Sequence, residues 1–259
     1  MSRRVPAPIA AGVERNRPIA IPTGVVELRD DSNGSTTVWV NNVPSSVLRV
    51  ERDVLDFEYM RHASAAIRVW DDARDDHHWL ALHVGAAACT LPRYLAHTHP
   101  ESRHIAVDVD TALATLARQW WDLPSAPRLR VRAQDGLEAL SSRGAGTVDL
   151  IVRDAFADDA TPPHLAGELW WSHAARTLRP GGLVIANVAV RPGSASAAGD
   201  VAAATAAFGS VVAVAEPAVT KGRRRGNVIL VAGPVDRDQL RRYAASAPLP
   251  TGVVDHWRG

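Results

Sequence analysis

Short apolar runs alternate with amphipathic segments through the central part of the chain. The apolar runs lie at 79–84, 103–109, 128–133, 148–153 and 183–190. Segments with helical spacing follow the first four runs, at 91–97, 111–121, 136–141 and 164–178, and Gly181-Gly182 is expected to end the last helix. Such alternation is typical of a parallel sheet with right-handed crossover connections. The pattern therefore predicts an α/β protein.

The segments on either side of this core have different patterns. Before it, strand-like runs lie at 25–29, 35–40 and 45–50, and 56–70 has helical spacing. The pair Asn41-Asn42 suits a tight hairpin, because asparagine tolerates positive φ. After the core, 211–215 and 228–231 predict an antiparallel pair at one edge of the sheet. We predict a flexible N-terminal arm at 1–23, a small β domain at 24–55 and a catalytic domain at 56–259.

Composition and charge argue against several classes of protein. The chain has 259 residues, 46% hydrophobic and 22% charged, and this composition is ordinary for a globular protein. A net charge of +1 does not favour a nucleic-acid partner or an anionic membrane. A single cysteine, Cys89, excludes an intrachain disulfide, and the histidine spacings predict no metal site. Without a leader-like or membrane-spanning apolar run, we expect a cytoplasmic protein.

Acidic residues follow three successive strands of the predicted core. Asp108, Asp135 and Asp154 each come directly after an apolar run, and Gly85 ends the first run. Ligands of open α/β sheets bind outside the carboxyl ends of the strands. The three acids are therefore expected to face a ligand that carries hydroxyls, amines or positive charge.

Each of these acids also has a purely structural explanation. Asp108 is placed to accept hydrogen bonds from both ribose hydroxyls of a nucleoside, and we favour that role because Asp110 can cap the next helix. Asp135 either caps a helix or accepts from an exocyclic adenine amine, and both roles are compatible. Asp154 opens an acidic loop with Asp158 and Asp159 that favours a cation or an ammonium group. For the latter two, a solvated loop is the simpler interpretation.

Taken together, these features resemble the spermidine synthase (aminopropyltransferase) family of the class I S-adenosylmethionine-dependent methyltransferase fold. The resemblance covers 38–190: a hairpin domain, a glycine turn, an acid after the second strand, Asp-Gly after the third and an aspartate after the fourth. The runs 154–165 and Thr90-Leu-Pro-Arg-Tyr-Leu95 are more similar to an actinobacterial-type branch of that family. The resemblance implies a Rossmann-like domain with a mostly parallel seven-stranded sheet and an antiparallel edge, together with a small N-terminal β-hairpin domain.

The resemblance also implies a co-substrate and a set of residues that bind it. The co-substrate would be S-adenosylmethionine or its decarboxylated form, with no metal. Gly85, Asp108, Asp135 and Gly136 would hold its nucleoside.

On the acceptor side, the resemblance implies an amine or polyamine substrate. Asp154 would be the general base that takes the amine proton, and Tyr59 and Asp158 would bind the amine. Subunits of this family pair through the N-terminal strands, so a homodimer is expected.

The chain departs from the family mainly on the acceptor side. Ala88 stands where active enzymes carry an ammonium-binding aspartate, and Ala157 replaces the second aspartate of the acidic loop. Ser45 replaces a glutamine, and Met60-Arg61 replaces the His-Glu that follows the tyrosine. These departures imply retained nucleoside binding and a changed or lost polyamine substrate. An S-adenosylmethionine-dependent methyltransferase and a non-catalytic dimeric binding protein are the alternatives.

Overall fold

The computed structural model describes residues 9–10, 12–157, 160–193 and 197–259, and they form two sheets with helices packed around them. The smaller sheet is antiparallel, with strand order β1-β2-β3-β4. Its strands are β1 (Ile19–Ile21), β2 (Gly24–Asp30), β3 (Thr36–Val40) and β4 (Val43–Leu48). Asn41 and Asn42, with φ of 49° and 63°, form the tight turn between β3 and β4 that the sequence predicts.

The larger sheet has eight strands. They are β5 (Leu80–Val84), β6 (Arg103–Asp108), β7 (Leu129–Ala133), β8 (Val148–Arg153), β9 (Leu178–Val190), β10 (Val211–Ala215), β11 (Gly226–Ala232) and β12 (Gly252–Asp255). Their order is β12-β10-β11-β9-β8-β5-β6-β7. Strands β5 to β9 pair in parallel, whereas β11, β10 and β12 add antiparallel pairs at one edge.

Helices cover both faces of the larger sheet. They are α1 (Glu58–Asp72), α2 (Thr90–Thr98), α3 (Thr111–Trp120), α4 (Gly136–Ser141), α5 (Gly167–Thr177), α6 (Ala198–Phe208), the single turn α7 (Pro217–Thr220) and α8 (Arg237–Ser246). A 3-10 turn, Pro163–Leu165, precedes α5. One core packs against α4, α5 and α6, and the opposite core packs against α1, α2 and α8. A third core joins the small sheet to α3. Among the described helices, none is long and apolar enough to cross a membrane.

The fold class predicted from the sequence is confirmed, with two differences in the larger sheet. The sheet has an eighth strand, β12, which pairs with β10 and has only four residues of pattern to reveal it. Helix α5 ends at Thr177 rather than at Gly181-Gly182, and Leu178 already pairs with Val148. The prediction placed this end too late, because Pro180 disfavours helical backbone at the residue before it.

The range predicted to be a flexible arm contains packed residues. Ile19–Ile21 forms β1, and Ile9 is buried in the core that joins the small sheet to α3. The backbone N–H of Ala10 donates to the carbonyl of Trp120 over 2.7 Å. A short strand and one isolated apolar residue leave no periodic pattern in the sequence. The division of the chain at residues 23 and 55 stays a prediction.

A buried ion pair fastens the end of β8 to the helices beneath it. Arg153 is fully buried and pairs with Asp200 of α6, which also accepts a 2.6 Å hydrogen bond from the indole of Trp171. The guanidinium also donates to the carbonyl of Leu165 over 2.8 Å and lies 4.7 Å from the ring centre of Trp170. Because Arg153 precedes Asp154, this pair helps to fix where the predicted base leaves the sheet.

We expect Asp200→Ala to lower the free energy of unfolding by about 3–5 kcal/mol, because it leaves a buried guanidinium without its counter-charge. Urea denaturation followed by circular dichroism measures this loss. Glu14→Ala is the control, since it removes one partner of the exposed Arg17–Glu14 pair and should change stability little. Similar, small effects from both variants would contradict the structural role given to Asp200.

Candidate functional site

A cavity of about 930 Å³ lies at the carboxyl ends of the parallel strands, bounded on one side by the β3–β4 hairpin. This is the position at which open α/β sheets bind their ligands. The predicted site residues that line it are Tyr59, Gly85, Asp108, Asp135, Gly136 and Asp154. The structure therefore brings together every predicted site residue that it describes. Asp158 lies outside the described residues.

Asp154 is held by two hydrogen-bond donors at the tip of β8. The hydroxyl of Tyr59 donates to Oδ2 over 3.0 Å, and Nδ2 of Asn187 donates to Oδ1 over 2.8 Å. Burial raises the pKa of Asp154, and the hydrogen bonds from Asn187 and Tyr59 offset only part of that rise. The carboxylate is therefore a stronger proton acceptor than an aspartate in water.

Two neighbours prepare this carboxylate for chemistry. Burial and the negative charge of Asp154 raise the pKa of Tyr59 well above its usual value, so the phenol stays a neutral donor. Asn187, on β9, was not predicted from the sequence. A polar residue in the middle of the apolar run 183–190 was the available signal, because a buried amide needs partners.

Asp108 shapes the glycine turn that follows β5. Its Oδ2 accepts from the backbone N–H groups of Ala86 and Ala87 at 3.1 Å and 2.9 Å, and its Oδ1 accepts from the backbone N–H of Asp110 at 3.0 Å. A carboxylate has about four lone-pair positions, so about one is left for a ligand. Asp110 caps α3 as predicted, accepting from the backbone of Ala112 and Leu113.

Asp135 caps α4, which was one of its two predicted roles. Its Oδ1 accepts from the backbone N–H groups of Leu137 and Glu138, and its Oδ2 lies 2.8 Å from Nε2 of His164. Burial alone would raise the pKa of Asp135, but the hydrogen bonds from the Glu138 N–H and from His164 outweigh it, and the pKa is lowered. The adenine-binding role stays a prediction. His164 gave no sequence signal, because only the fold brings it beside Asp135.

Both predicted glycines allow close packing at the strand ends, Gly85 against backbone and Gly136 against a side chain. Gly85 has φ of +79°, and a Cβ there would lie 2.4 Å from the carbonyl oxygen of Asp154 and 2.6 Å from Cα of Ala155. A Cβ on Gly136 would lie 2.2 Å from Cγ1 of Val84. The glycine turn therefore sets the position of the loop that carries Asp154.

Ala88, at the position of the family's ammonium-binding aspartate, lies in the interior and is not part of the cavity lining. Ala88 is fully buried: its N–H donates to Oγ of Ser46 over 3.3 Å and its carbonyl accepts from the Trp121 indole over 2.9 Å. Ser45, by contrast, lines the cavity. Both backbone groups of residue 88 are thus committed to packing beneath the small sheet.

Comparison with known proteins identifies the family. No protein-family model matches the chain. Its structure superposes on that of a probable spermidine synthase from Corynebacterium glutamicum with a TM-score of 0.87 and 31% identity, covering 94% of this chain and 91% of the other. The chain belongs to the spermidine synthase family. The resemblance stated from the sequence is thereby confirmed.

More distant structures share the fold of the spermidine synthase family. A spermidine synthase in complex with the transition-state analogue AdoDATO has a TM-score of 0.54 and 16% identity, covering 91% of this chain and 80% of that one. Human methyltransferase-like protein 13 in complex with SAH has a TM-score of 0.57 and 21% identity, and the superposition covers 72% of this chain and 87% of that one.

A curated human protein, eEF1A lysine and N-terminal methyltransferase, is also similar. It is 27% identical over 119 residues, which are 42% of this chain. The match spans only 17% of the length of that protein.

We expect Gly85→Ala to destabilise the protein by about 3 kcal/mol, from its positive φ and the clash with the Asp154 backbone. Gly181→Ala is the matched control, because Gly181 also has φ of +79° but nothing lies within 4 Å of its Cβ position. That control should cost about 1 kcal/mol. Urea denaturation of both variants makes the comparison, and equal losses would show that the close approach does not matter.

Proposed function

We propose that the protein is a spermidine synthase-like transferase that moves an alkyl group from an adenosylmethionine-type sulfonium to an amine. The observation that carries this proposal is a carboxylate of raised pKa, Asp154, held by Tyr59 and Asn187 in a cavity at the strand ends. The transferred group is aminopropyl in this proposal. Family membership and the ligands of the two more distant structures, AdoDATO and SAH, support an adenosine thioether as the bound product.

The nucleoside half of the cavity fits an adenosine. A volume of about 930 Å³ is at the upper end of the range for ligand pockets. The free lone-pair position on Asp108 is available to a ribose hydroxyl, and Asp135 lines the cavity together with His164. Gly85 and Gly136 let the strand ends and turns that form this half pack closely.

The proposed chemistry needs a base for the amine and no acid for the leaving group. An alkylamine has a pKa near 10, so presenting it neutral at pH 7 costs about 4 kcal/mol. Asp154 binds the ammonium and takes its proton while the nitrogen lone pair forms the new N–C bond. The C–S bond breaks with its electron pair going to sulfur, which leaves as a neutral thioether. Tyr59 and Asn187 orient the carboxylate throughout.

A methyltransferase is the second candidate. It is favoured by the alanine at position 88, where active spermidine synthases carry an ammonium-binding aspartate, and by the similarity to the curated methyltransferase. Without that aspartate, a co-substrate that retains its carboxylate meets less repulsion.

Calorimetry distinguishes these candidates. We expect methylthioadenosine and decarboxylated S-adenosylmethionine to bind, followed by aminopropyl transfer to a primary amine in a mass-spectrometric assay. Tighter binding of S-adenosylmethionine than of its decarboxylated form would select methyl transfer instead. If none of the three ligands binds, the proposal fails. Sedimentation of the same protein tests the homodimer that we propose with it.

We expect Asp154→Asn to lower turnover by about 10²–10⁴-fold while methylthioadenosine still binds, because the amide cannot accept the proton. Asp75→Asn is the control, since Asp75 is an exposed aspartate outside the cavity lining. Wild-type turnover by Asp154→Asn would remove the general-base role.

The same variant should be more stable than the wild type at pH 7. The folded-state pKa of Asp154 is raised above the unfolded value of about 3.9, so the folded state holds the proton more tightly. The stability that this contributes is present in acid and is lost as pH rises through the folded-state pKa. Thermal unfolding should therefore show that the advantage of Asp154→Asn shrinks as pH falls toward 4. A difference independent of pH would contradict the raised pKa.

A further inference from the structure

A buried chain of hydrogen bonds ends at the cavity on the side of Asp154. His83, on β5, lines the cavity, and its Nε2 lies 3.1 Å from Nδ1 of His104. Nε2 of His104 lies 2.8 Å from Oγ of Ser102, which donates to the carbonyl of His99 over 2.6 Å. His83, His104 and Ser102 are each at most 2% exposed. The proposed mechanism uses none of these side chains.

The donors and acceptors in this series of hydrogen bonds fix its direction. A carbonyl oxygen only accepts, so the single hydroxyl proton of Ser102 points to His99 and its Oγ accepts from Nε2–H of His104. A neutral imidazole has one N–H, so Nδ1 of His104 carries a lone pair and accepts from Nε2–H of His83. Nδ1 of His83 is then left as an unprotonated acceptor.

Burial keeps both rings neutral. It lowers the pKa of His83 to about 3 and holds the pKa of His104 well below its usual value. Among the described residues, none donates to Nδ1 of His83, and the His83 side chain lines the cavity. A ligand in the cavity is the partner left for this nitrogen.

The register places further acceptors on the same face of the sheet. His83 pairs with Val152 on β8, and Val152 pairs with Ile185 on β9. Because side chains alternate along a strand, Asp154 and Asn187, two residues further on, share that face. The Oδ1 of Asn187 is buried without exposed surface and has no hydrogen-bond partner among the described residues, so it is closed to a ligand in the cavity. Neighbouring strands thus carry the Asp154 carboxylate and one neutral acceptor, His83, on the same face.

We propose that Nδ1 of His83 is a specificity-determining acceptor that receives a hydrogen bond from the primary amine of the acceptor substrate. This inference rests on the proposed function. When a primary amine directs its lone pair at the attacked carbon, its two N–H groups remain as donors, and they match Asp154 and Nδ1 of His83. A tertiary amine has no N–H to donate to either acceptor. The site therefore selects primary amines over N,N-dialkylated amines.

The neutrality of the His83 acceptor matters for catalysis. A carboxylate near an ammonium raises the pKa of the amine and makes its proton harder to remove. An imidazole lone pair accepts a hydrogen bond without adding charge. His83 therefore gives the amine a partner in a chain that has alanine at positions 88 and 157, and it leaves the proton to Asp154.

Nitrogen-15 spectra of histidine-labelled wild-type protein test the inference directly. With methylthioadenosine bound, we expect Nδ1 of His83 to be unprotonated, and 1,4-diaminobutane to shift that nitrogen toward a hydrogen-bonded value. A proton on Nδ1 overturns the inference. So does an unshifted Nδ1 when calorimetry shows that the diamine binds. If no amine binds and none is alkylated, the proposed function fails as well, so the two failures are distinguishable.

Variants test the specificity. His83→Leu should raise KM for 1,4-diaminobutane about tenfold or more, with kcat and the affinity for methylthioadenosine within about twofold of wild type. KM for an N,N-dimethylated amine should change less. Ser102→Ala removes the hydrogen bond that fixes the tautomers of His104 and His83, and it changes no residue of the cavity lining. It should give a smaller rise in KM for 1,4-diaminobutane.

The control is His97→Gln, which replaces an exposed histidine of α2. It should leave KM, kcat and the affinity for methylthioadenosine unchanged. If His83 were only structural, stability and nucleoside affinity would fall together and the preference for primary amines would be unchanged. That result overturns the inference. If His83→Leu does not fold, Ser102→Ala and the wild-type spectra still decide it.

Discussion

The burial of the Asp154 carboxylate is the constraint on which the rest of the site depends. A charged oxygen away from water is stable only where donors reach it, and Tyr59 and Asn187 supply them from two different elements. The position of the carboxylate follows from packing on both sides of the strand tip. Gly85 lets the backbone of residue 154 pass close to the end of β5. Arg153, the residue before Asp154, forms an ion pair with Asp200 of α6. A buried ion pair and a glycine at positive φ therefore both serve to position the Asp154 side chain.

The half of the cavity that we propose for the nucleoside works by a different principle. Asp108 accepts hydrogen bonds from the backbone of the glycine turn after β5, and Asp135 accepts them from the first turn of α4. Their charge therefore stabilises local structure even without a ligand. A site built in this way is ordered before it binds, which reduces the entropy lost on association. The structural role of these acids is thus compatible with the nucleoside-binding role that we propose for them.

Most of the fold could be predicted from the sequence, because local patterns carry it. The alternation of strands and helices, the Asn41-Asn42 hairpin and the cap at Asp110 all depend on neighbours within a few residues. The strands β1 and β12 could not be predicted, since three or four residues contain too little pattern and their pairing is decided by the rest of the sheet. The end of α5 was misplaced although Pro180 already marked it.

From the residue pattern alone, the candidate site was predictable where acids follow strands directly, and Tyr59 of α1 was added by the family resemblance. Asp108, Asp135 and Asp154 gave a signal because strand ends converge in this fold. Asn187 and His83 lie inside apolar strands, where a polar residue is visible in the sequence but its partners are not. Hydrogen bonds that join β5 to β6 or β8 to β9 depend on register, which a single sequence does not show.

Under the proposed function, the balance between charged and neutral acceptors explains how a family member with fewer carboxylates can bind an amine. Each carboxylate near an ammonium strengthens binding but raises the amine pKa, and every unit of that rise adds about 1.36 kcal/mol to deprotonation. Alanine at positions 88 and 157 removes two such charges. Amine binding would then depend more on short-range hydrogen bonds, which require donors at the right angles. Such a site would bind amines in general less tightly and would discriminate better by the number of N–H groups that an amine presents.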